Sequence, residues 1–324
     1  MTDLLTRGQL DLLAHLLAAR PEDLAGFARL GAADLRAVRE RISDNLFDAD
    51  APMFARIAKL APLLPDVVVA KVAVSVVPAE VSGRAAGALA VAHPDRIAGI
   101  LTGLPVSYLA DAAAHMDPRT IPELAARVPA AALVPAAEEL LRRGDFTTTS
   151  RFVEHAPDEL VAALERGIGD DLGLLMTAAL IPDDGRLTAV LRSFPAERRD
   201  AIARTAATGG HGGLIAAISV YGRLEADLRA SSTAVLVGAM DEAAVIGLVE
   251  AAAVAEAGAE LLAAVAGAED DLLRRVADAI AASAADTVTA LVVPLDTTGR
   301  ASLRALWALR TEADGPEPTA IAGI

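Results

Sequence analysis

The chain has 324 residues, a formal net charge of −15 and no cysteine. That length can bury a sizeable core. The acidity repels phosphate backbones and anionic surfaces, which excludes general nucleic-acid binding, and the missing thiols exclude disulfides, zinc–thiolate sites and a cysteine nucleophile. Hydrophobic residues reach 54% with only 3% aromatics, and mean hydropathy is +0.42. The core must therefore be built from Leu, Val, Ile and Ala, of which Leu and Ala are strong helix formers. Of the 29 basic residues only Lys59 and Lys71 are lysine.

Residues 1–60 read as three or four helices, one of them a charged helix near 34–46 that carries Arg36, Arg39, Glu40 and Arg41. The opening MTDLLTRGQLDLLAHLL places Asp3 and Asp11 where a signal peptide would be basic and then apolar. No stretch reaches about 18 uncharged apolar residues. The expectation is a cytoplasmic chain without membrane insertion.

Proline then punctuates the sequence, at 65, 78, 94, 105, 118, 129, 157, 182 and 195. Several prolines are followed at once by an acid, as in Pro65-Asp66, Pro94-Asp95, Pro157-Asp158-Glu159 and Pro182-Asp183-Asp184. Proline suits the first helical position because its missing N–H would be unpaired there. Acids in the first turn complement the helix dipole. Each pair predicts a helix start. After Pro94 come Ile97, Ile100, Leu101 and Leu104; after Pro118 come Ile121, Leu124, Ala125 and Val128. This spacing puts each set on one helix face. The 24-residue step from Pro94 to Pro118, and again from Pro105 to Pro129, makes the unit a pair of short helices. Such helices are marginal alone and must stack, which is the logic of a solenoid. Val67 to Val69 and Leu291 to Val293 are rich in β-branched residues but sit in helical context, so they predict buried helix.

Beyond about 198 the helices continue, over roughly 198–207, 213–229, 232–239, 241–254, 256–266, 270–283, 285–292 and 298–310. Gly and acid pairs mark them in place of Pro. Residues 201–324 hold 8 Arg against 16 Asp or Glu. The predicted class is all-α: a superhelical array (α-solenoid) with an irregular N-terminal helical cap. Its segments are 1–60, a Pro-punctuated array over 61–208, an acidic helical array over 209–310 and a disordered tail over 311–324.

The phrases PDRIAGILTGL, DPRTIPELAARV and APDELVAALERGI give about residues 60–205 a resemblance to the N-terminal superhelical domain of MgtE-type magnesium transporters. That domain is similar in turn to the armadillo-like middle domain of the flagellar motor-switch protein. The resemblance implies a right-handed solenoid of armadillo/HEAT-like repeats. It carries over no binding residues.

Three features are candidates for chemistry. His93, His115 and His155 each end a helix before the next proline. They serve as favourable C-terminal charges or, aligned by stacking, as an edge that holds a metal or haem. The segment LRRGDFTTTSRFVEHAPDEL crowds polar residues into the stretch between Pro135 and Pro157, where no proline falls. There Gly144 would end a helix, Asp145 or Thr147 would cap the next, and Arg151 with Glu154 would be a solvated pair. Alternatively Arg143, Asp145, Arg151 and His155 form a docking site for an anionic group or a partner. In TGGHGG, around His211, four glycines form a hinge between the two arrays or a backbone anion nest. Gly-x-Ser-x-Gly, His-Glu-x-x-His, calcium-loop and dinucleotide patterns are missing. The leading expectation is a non-enzymatic scaffold that binds a protein partner. The alternatives are a binding protein for a lipid or haem-like molecule, no cofactor being indicated by a motif, and an enzyme with its site around 143–155.

Overall fold

The structure is a computed structural model and describes residues 4–60, 64–310 and 318–322. Its described residues form α-helices and short 3-10 helices, with no strand. They divide into two compact units. The middle unit comprises residues 12–19 and 34–173, and the terminal unit comprises 1–11, 20–33 and 174–324.

The prolines do start helices, but mostly from one place earlier than expected. Pro65, Pro78, Pro105, Pro129, Pro157 and Pro195 stand at the N-cap, with φ between −55 and −67° and ψ between 136 and 158°. Their carbonyls accept the first helical hydrogen bonds, as when Val69 N–H donates to Pro65 O at 3.0 Å. The ring fixes a φ that extended and helical backbone share. It also pushes the preceding residue out of the helical region. One proline thus stops a helix and starts the next, which keeps the helices short. Pro94 is within the first turn of its helix, and Pro118 opens a 3-10 turn over Pro118–Thr120.

In the middle unit α3 (Asp66–Val76), α5 (Pro94–Thr102), α7 (Ile121–Arg127) and α9 (Phe146–His155) alternate with α4 (Ala79–Ala92), α6 (Val106–Ala113), α8 (Ala130–Arg142) and α10 (Asp158–Gly167). Each odd helix packs on the next odd one and each even helix on the next even one, giving two layers of repeats. The expected faces are the buried ones: Ala90, Ile97, Leu101, Leu124 and Val128 form one core cluster. Layer spacing depends on small residues. Gly83 of α4 faces the carbonyl of Ala112 in α6 so closely that a Cβ would overlap it. Gly83→Ala gains about 1 kcal/mol of helix propensity and loses about 1–3 kcal/mol to overpacking. A net destabilisation is expected, read as a lower urea midpoint.

The terminal unit repeats the alternation with α12 (Asp184–Ser193), α13 (Ala196–Thr208), α14 (Gly210–Tyr221), α15 (Ala226–Gly238), α16 (Glu242–Val254), α17 (Gly258–Val265), α18 (Asp270–Ala282), α19 (Ala285–Val292) and α20 (Thr297–Trp307). Here α13 packs on α15 and α15 on α17, while α14 packs on α16 and α16 on α18. In α16, Val245, Leu248, Val249, Ala251, Ala252 and Ala253 are all buried. Such a helix is apolar nearly all round because it has neighbours nearly all round.

Several expectations are corrected. The single helix expected over 213–229 is two, α14 and α15, broken at Gly222, which sits against the Glu260 carbonyl. The glycines at 209–213 do not form a hinge between separate arrays: α13 packs directly on α14 inside one unit, and the division falls between Gly173 and Leu174. The charged helix near 34–46 is α2 (Gly31–Leu60), which continues through Pro52. It follows α1 (Leu4–Leu17) and a 3-10 helix over Pro21–Leu30. Val67 and Val68 are helical but exposed, because α3 makes its core contact through Ala70, while Leu291 and Val292 are buried in α19 and Val293 is exposed just past its end. Of the expected disordered tail, residues 319–322 form a short helix, α21 (Thr319–Ala322), with Ile321 buried. Residues 311–317 and 323–324 lie outside the described residues. Among the described residues no helix is long and apolar enough to cross a membrane.

Candidate functional site

The stretch 142–155 is a regular repeat junction. Gly144 takes φ +72°, the left-handed conformation that ends α8. The Asp145 carboxylate accepts from Thr148 N–H at 3.0 Å and from the Thr147 hydroxyl at 3.1 Å, capping α9 where other repeats use proline. Thr149 and Ser150 turn their hydroxyls onto their own helix, donating to Asp145 O at 3.0 Å and Thr147 O at 2.9 Å. The Thr148 hydroxyl is buried without a hydrogen-bond partner.

Arg143 ties α8 to α6. Its guanidinium pairs with Glu139 at 2.8 Å and with Asp111 at 2.5 Å. Arg142 and then Arg143 hold the Glu139 carboxyl at a pKa of about 2. Arg151 does not form a solvated pair with Glu154. It donates to the carbonyls of Ala114 and Met116, both at 3.2 Å, just past the end of α6. Burial, with the like charge of Arg39 behind it, pushes this guanidinium down to about 10. The same device recurs in the terminal unit. Arg223 donates to Ala179 O and Ile181 O past the end of α11 (Asp171–Ala179), and Arg275 donates to Val237 O and Met240 O around the end of α15. A planar fork with several N–H donors suits such carbonyl pairs, and lysine does not.

Arg143 and Asp145 line a cleft of about 400 Å3 together with Glu80, Asp111, His115 and Leu140. Its residues come from the starts and ends of separate helices, so no local motif announces it. Burial lowers the His115 pKa; Glu80 opposes this, and Arg84, His15 and Arg151 add to it. An NMR titration is expected to place the imidazole midpoint below the usual value of about 6.5. The unfolded chain then binds the proton first, so this contribution to stability is complete above about pH 6.5 and is lost as pH falls through the folded value. His115→Gln should flatten that region of the stability profile.

The other expected site residues lie elsewhere. His155 is the last residue of α9, and His211 is exposed in the first turn of α14, in the terminal unit. His93 caps the end of α4 and its Nε2 is buried without a partner. Among the described residues no group of three or more His, Asp or Glu could hold a metal ion.

A second polar arrangement runs along α2, over residues 34–60 of the middle unit. Arg36 pairs with Glu154 of α9 at 2.6 Å, and Arg39 approaches the same carboxylate at 3.9 Å. Asp48 and Asp44 pair with Arg119 of the 118–120 turn at 2.9 and 3.5 Å. Asp50 pairs with Arg84 of α4. Arg84, Arg119 and Glu154 belong to α4, the 118–120 turn and α9, which pack on one another in that order, so each of these elements presents one charge to α2. The Glu154 and Arg39 side chains are only 7% and 9% exposed, and Arg39 Nη1 has no hydrogen-bond partner. No family model, no curated protein and no solved structure matches this chain.

Proposed function

We propose that the protein is a non-enzymatic α-solenoid scaffold of the cytoplasm that binds a protein partner along the charged face of its middle unit. The supporting observation is that α4, the 118–120 turn and α9, which pack on one another in that order, each present a charged residue to one face of the middle unit: Arg84, Arg119 and Glu154. Stacked repeats create extended surfaces of this kind, and charges of opposite sign at its two ends fix the direction of a bound segment. The right-handed superhelix implied by the resemblance of about residues 60–205 to the MgtE-type N-terminal domain belongs to the same proposal. The test is affinity capture from native lysate followed by cross-linking. A stoichiometric partner cross-linked near Arg84 and Arg119, and lost on Arg84→Glu with Arg119→Glu, is expected. Repeated capture of no stoichiometric partner overturns the reading.

A second reading is favoured by the cleft, whose volume falls in the range of small-molecule sites. Its carboxylates, arginine and imidazole suit a small polar ligand. Native mass spectrometry of the purified protein tests it: a retained small ligand is expected, and its absence at this cleft removes the reading.

A further inference from the structure

We propose that α2 is a resident stand-in for the partner: the charged face takes an amphipathic helix of another protein, basic near its start and acidic along its middle, and α2 covers that face until such a helix displaces it. This rests on the scaffold reading above.

Geometry sets the direction of α2. From Arg36 to Asp50 it advances 14 residues, about 21 Å at 1.5 Å per residue. Its contacts pass from α9 to the 118–120 turn to α4, elements that pack on one another in that order. Two helix-to-helix steps of about 8–10 Å each span nearly the same length. α2 therefore crosses the repeats instead of joining either layer.

Its attachment is thin. Among its described side chains only Leu35, Arg39 and Phe54 are buried. In the 13-residue α16, six are. The ion pairs around Asp44, Asp48 and Asp50 are partly solvated, and such pairs contribute about 0–1 kcal/mol each. The fit at α9 is incomplete, because buried Arg39 comes only within 3.9 Å of Glu154 and of Glu40, and its Nη1 has no hydrogen-bond partner. A helix with a better match at that point gains what α2 leaves unsatisfied.

The charges identify the competitor. The face offers Arg84 and Arg119 at one end and Glu154 at the other. Its partner needs a basic residue near the helix start, acids about two to four turns later, and a large apolar anchor one further turn on. In α2 these are Arg36, the set Asp44, Asp48 and Asp50, and Phe54.

The test uses the full chain and a fluorescent synthetic peptide of residues 34–60. Asp44→Lys, Asp48→Lys and Asp50→Lys together loosen the resident helix and leave the array unchanged. This variant is expected to bind the peptide about tenfold or more tightly than the wild type, because the competent fraction of the face rises. Adding Arg84→Glu and Arg119→Glu re-pairs the resident helix and should remove that binding. Circular dichroism checks that each variant keeps its helix content. Equal affinity in wild type and triple variant, or binding that survives the charge swap, overturns the proposal. A measurement on the wild type guards against misfolding: isotope-labelled peptide should speed amide exchange in the chain's own 34–60 segment and leave α3–α10 protected. Unchanged exchange at saturating peptide also overturns it. A partner that is captured from lysate but not competed by the peptide overturns this proposal alone and leaves the scaffold reading standing.

Discussion

Glu154→Ala is expected to cost about 3–5 kcal/mol, the usual result of removing one member of a buried ion pair. The carboxylate is almost wholly buried and pairs with Arg36 at 2.6 Å and Arg39 at 3.9 Å. Without it, Arg36 keeps Glu40 at 2.7 Å, but the buried Arg39 faces Arg151, whose pKa burial and Arg39 already lower. The least costly escape is for α2 to lift from α9. The loss should therefore appear first as faster amide exchange over 34–60 and a lower urea midpoint, with α3–α10 still helical. Arg39→Met combined with Glu154→Leu removes both buried charges and should recover most of the stability, since apolar replacement of such a pair is often neutral or better. If the single substitution costs under about 1 kcal/mol, the pair is solvated and α2 is held by other contacts.

Leu248→Ala is expected to cost about 2–5 kcal/mol, toward the upper end of that range. Leu248 is 1% exposed in α16, the helix with neighbours on most sides. Its helix mates Ala251 and Ala252 are too short to fill the space left behind. Leu248→Met keeps the volume and should cost less than about 1.5 kcal/mol. Urea unfolding of the two variants side by side separates cavity from shape.

The helices most legible in the sequence were those with one buried face. Ile97, Ile100 and Leu101, and likewise Ile121, Leu124 and Val128, announce their core by spacing alone. In α16 the apolar residues surround the helix, so periodicity could not say which face packs, only that it packs. The turn at Gly222 was missed because no proline marks it; Arg223 reaches back to the Ala179 and Ile181 carbonyls and a Cβ at Gly222 would meet the Glu260 carbonyl, contacts set by residues distant in sequence. The exposed Val67 and Val68 misled because composition reports propensity, whereas exposure depends on which neighbours α3 has. Around 142–155 the sequence signalled both a helix end at Gly144 and a cap at Asp145, and both are there. The surrounding polarity reads as a repeat junction because most of its hydroxyls bond within α9. The cleft and the α2 face were illegible. Glu80, Asp111 and His115, or Arg84, Arg119 and Glu154, meet only when repeats tens of residues apart stack.

The arginines that reach back to earlier helix ends also impose an order in time. Arg151, Arg223 and Arg275 lie 35–44 residues after the carbonyls they bind. A ribosome adding about 5–20 residues per second needs about 2–9 s to deliver each one. Until then the end of the previous helix is left to water, so a nascent chain can finish one repeat only after most of the next has emerged. A stall or a premature stop between a helix and its arginine would strand that helix with its carbonyls bare, and the quality of the last completed repeat would record where synthesis halted.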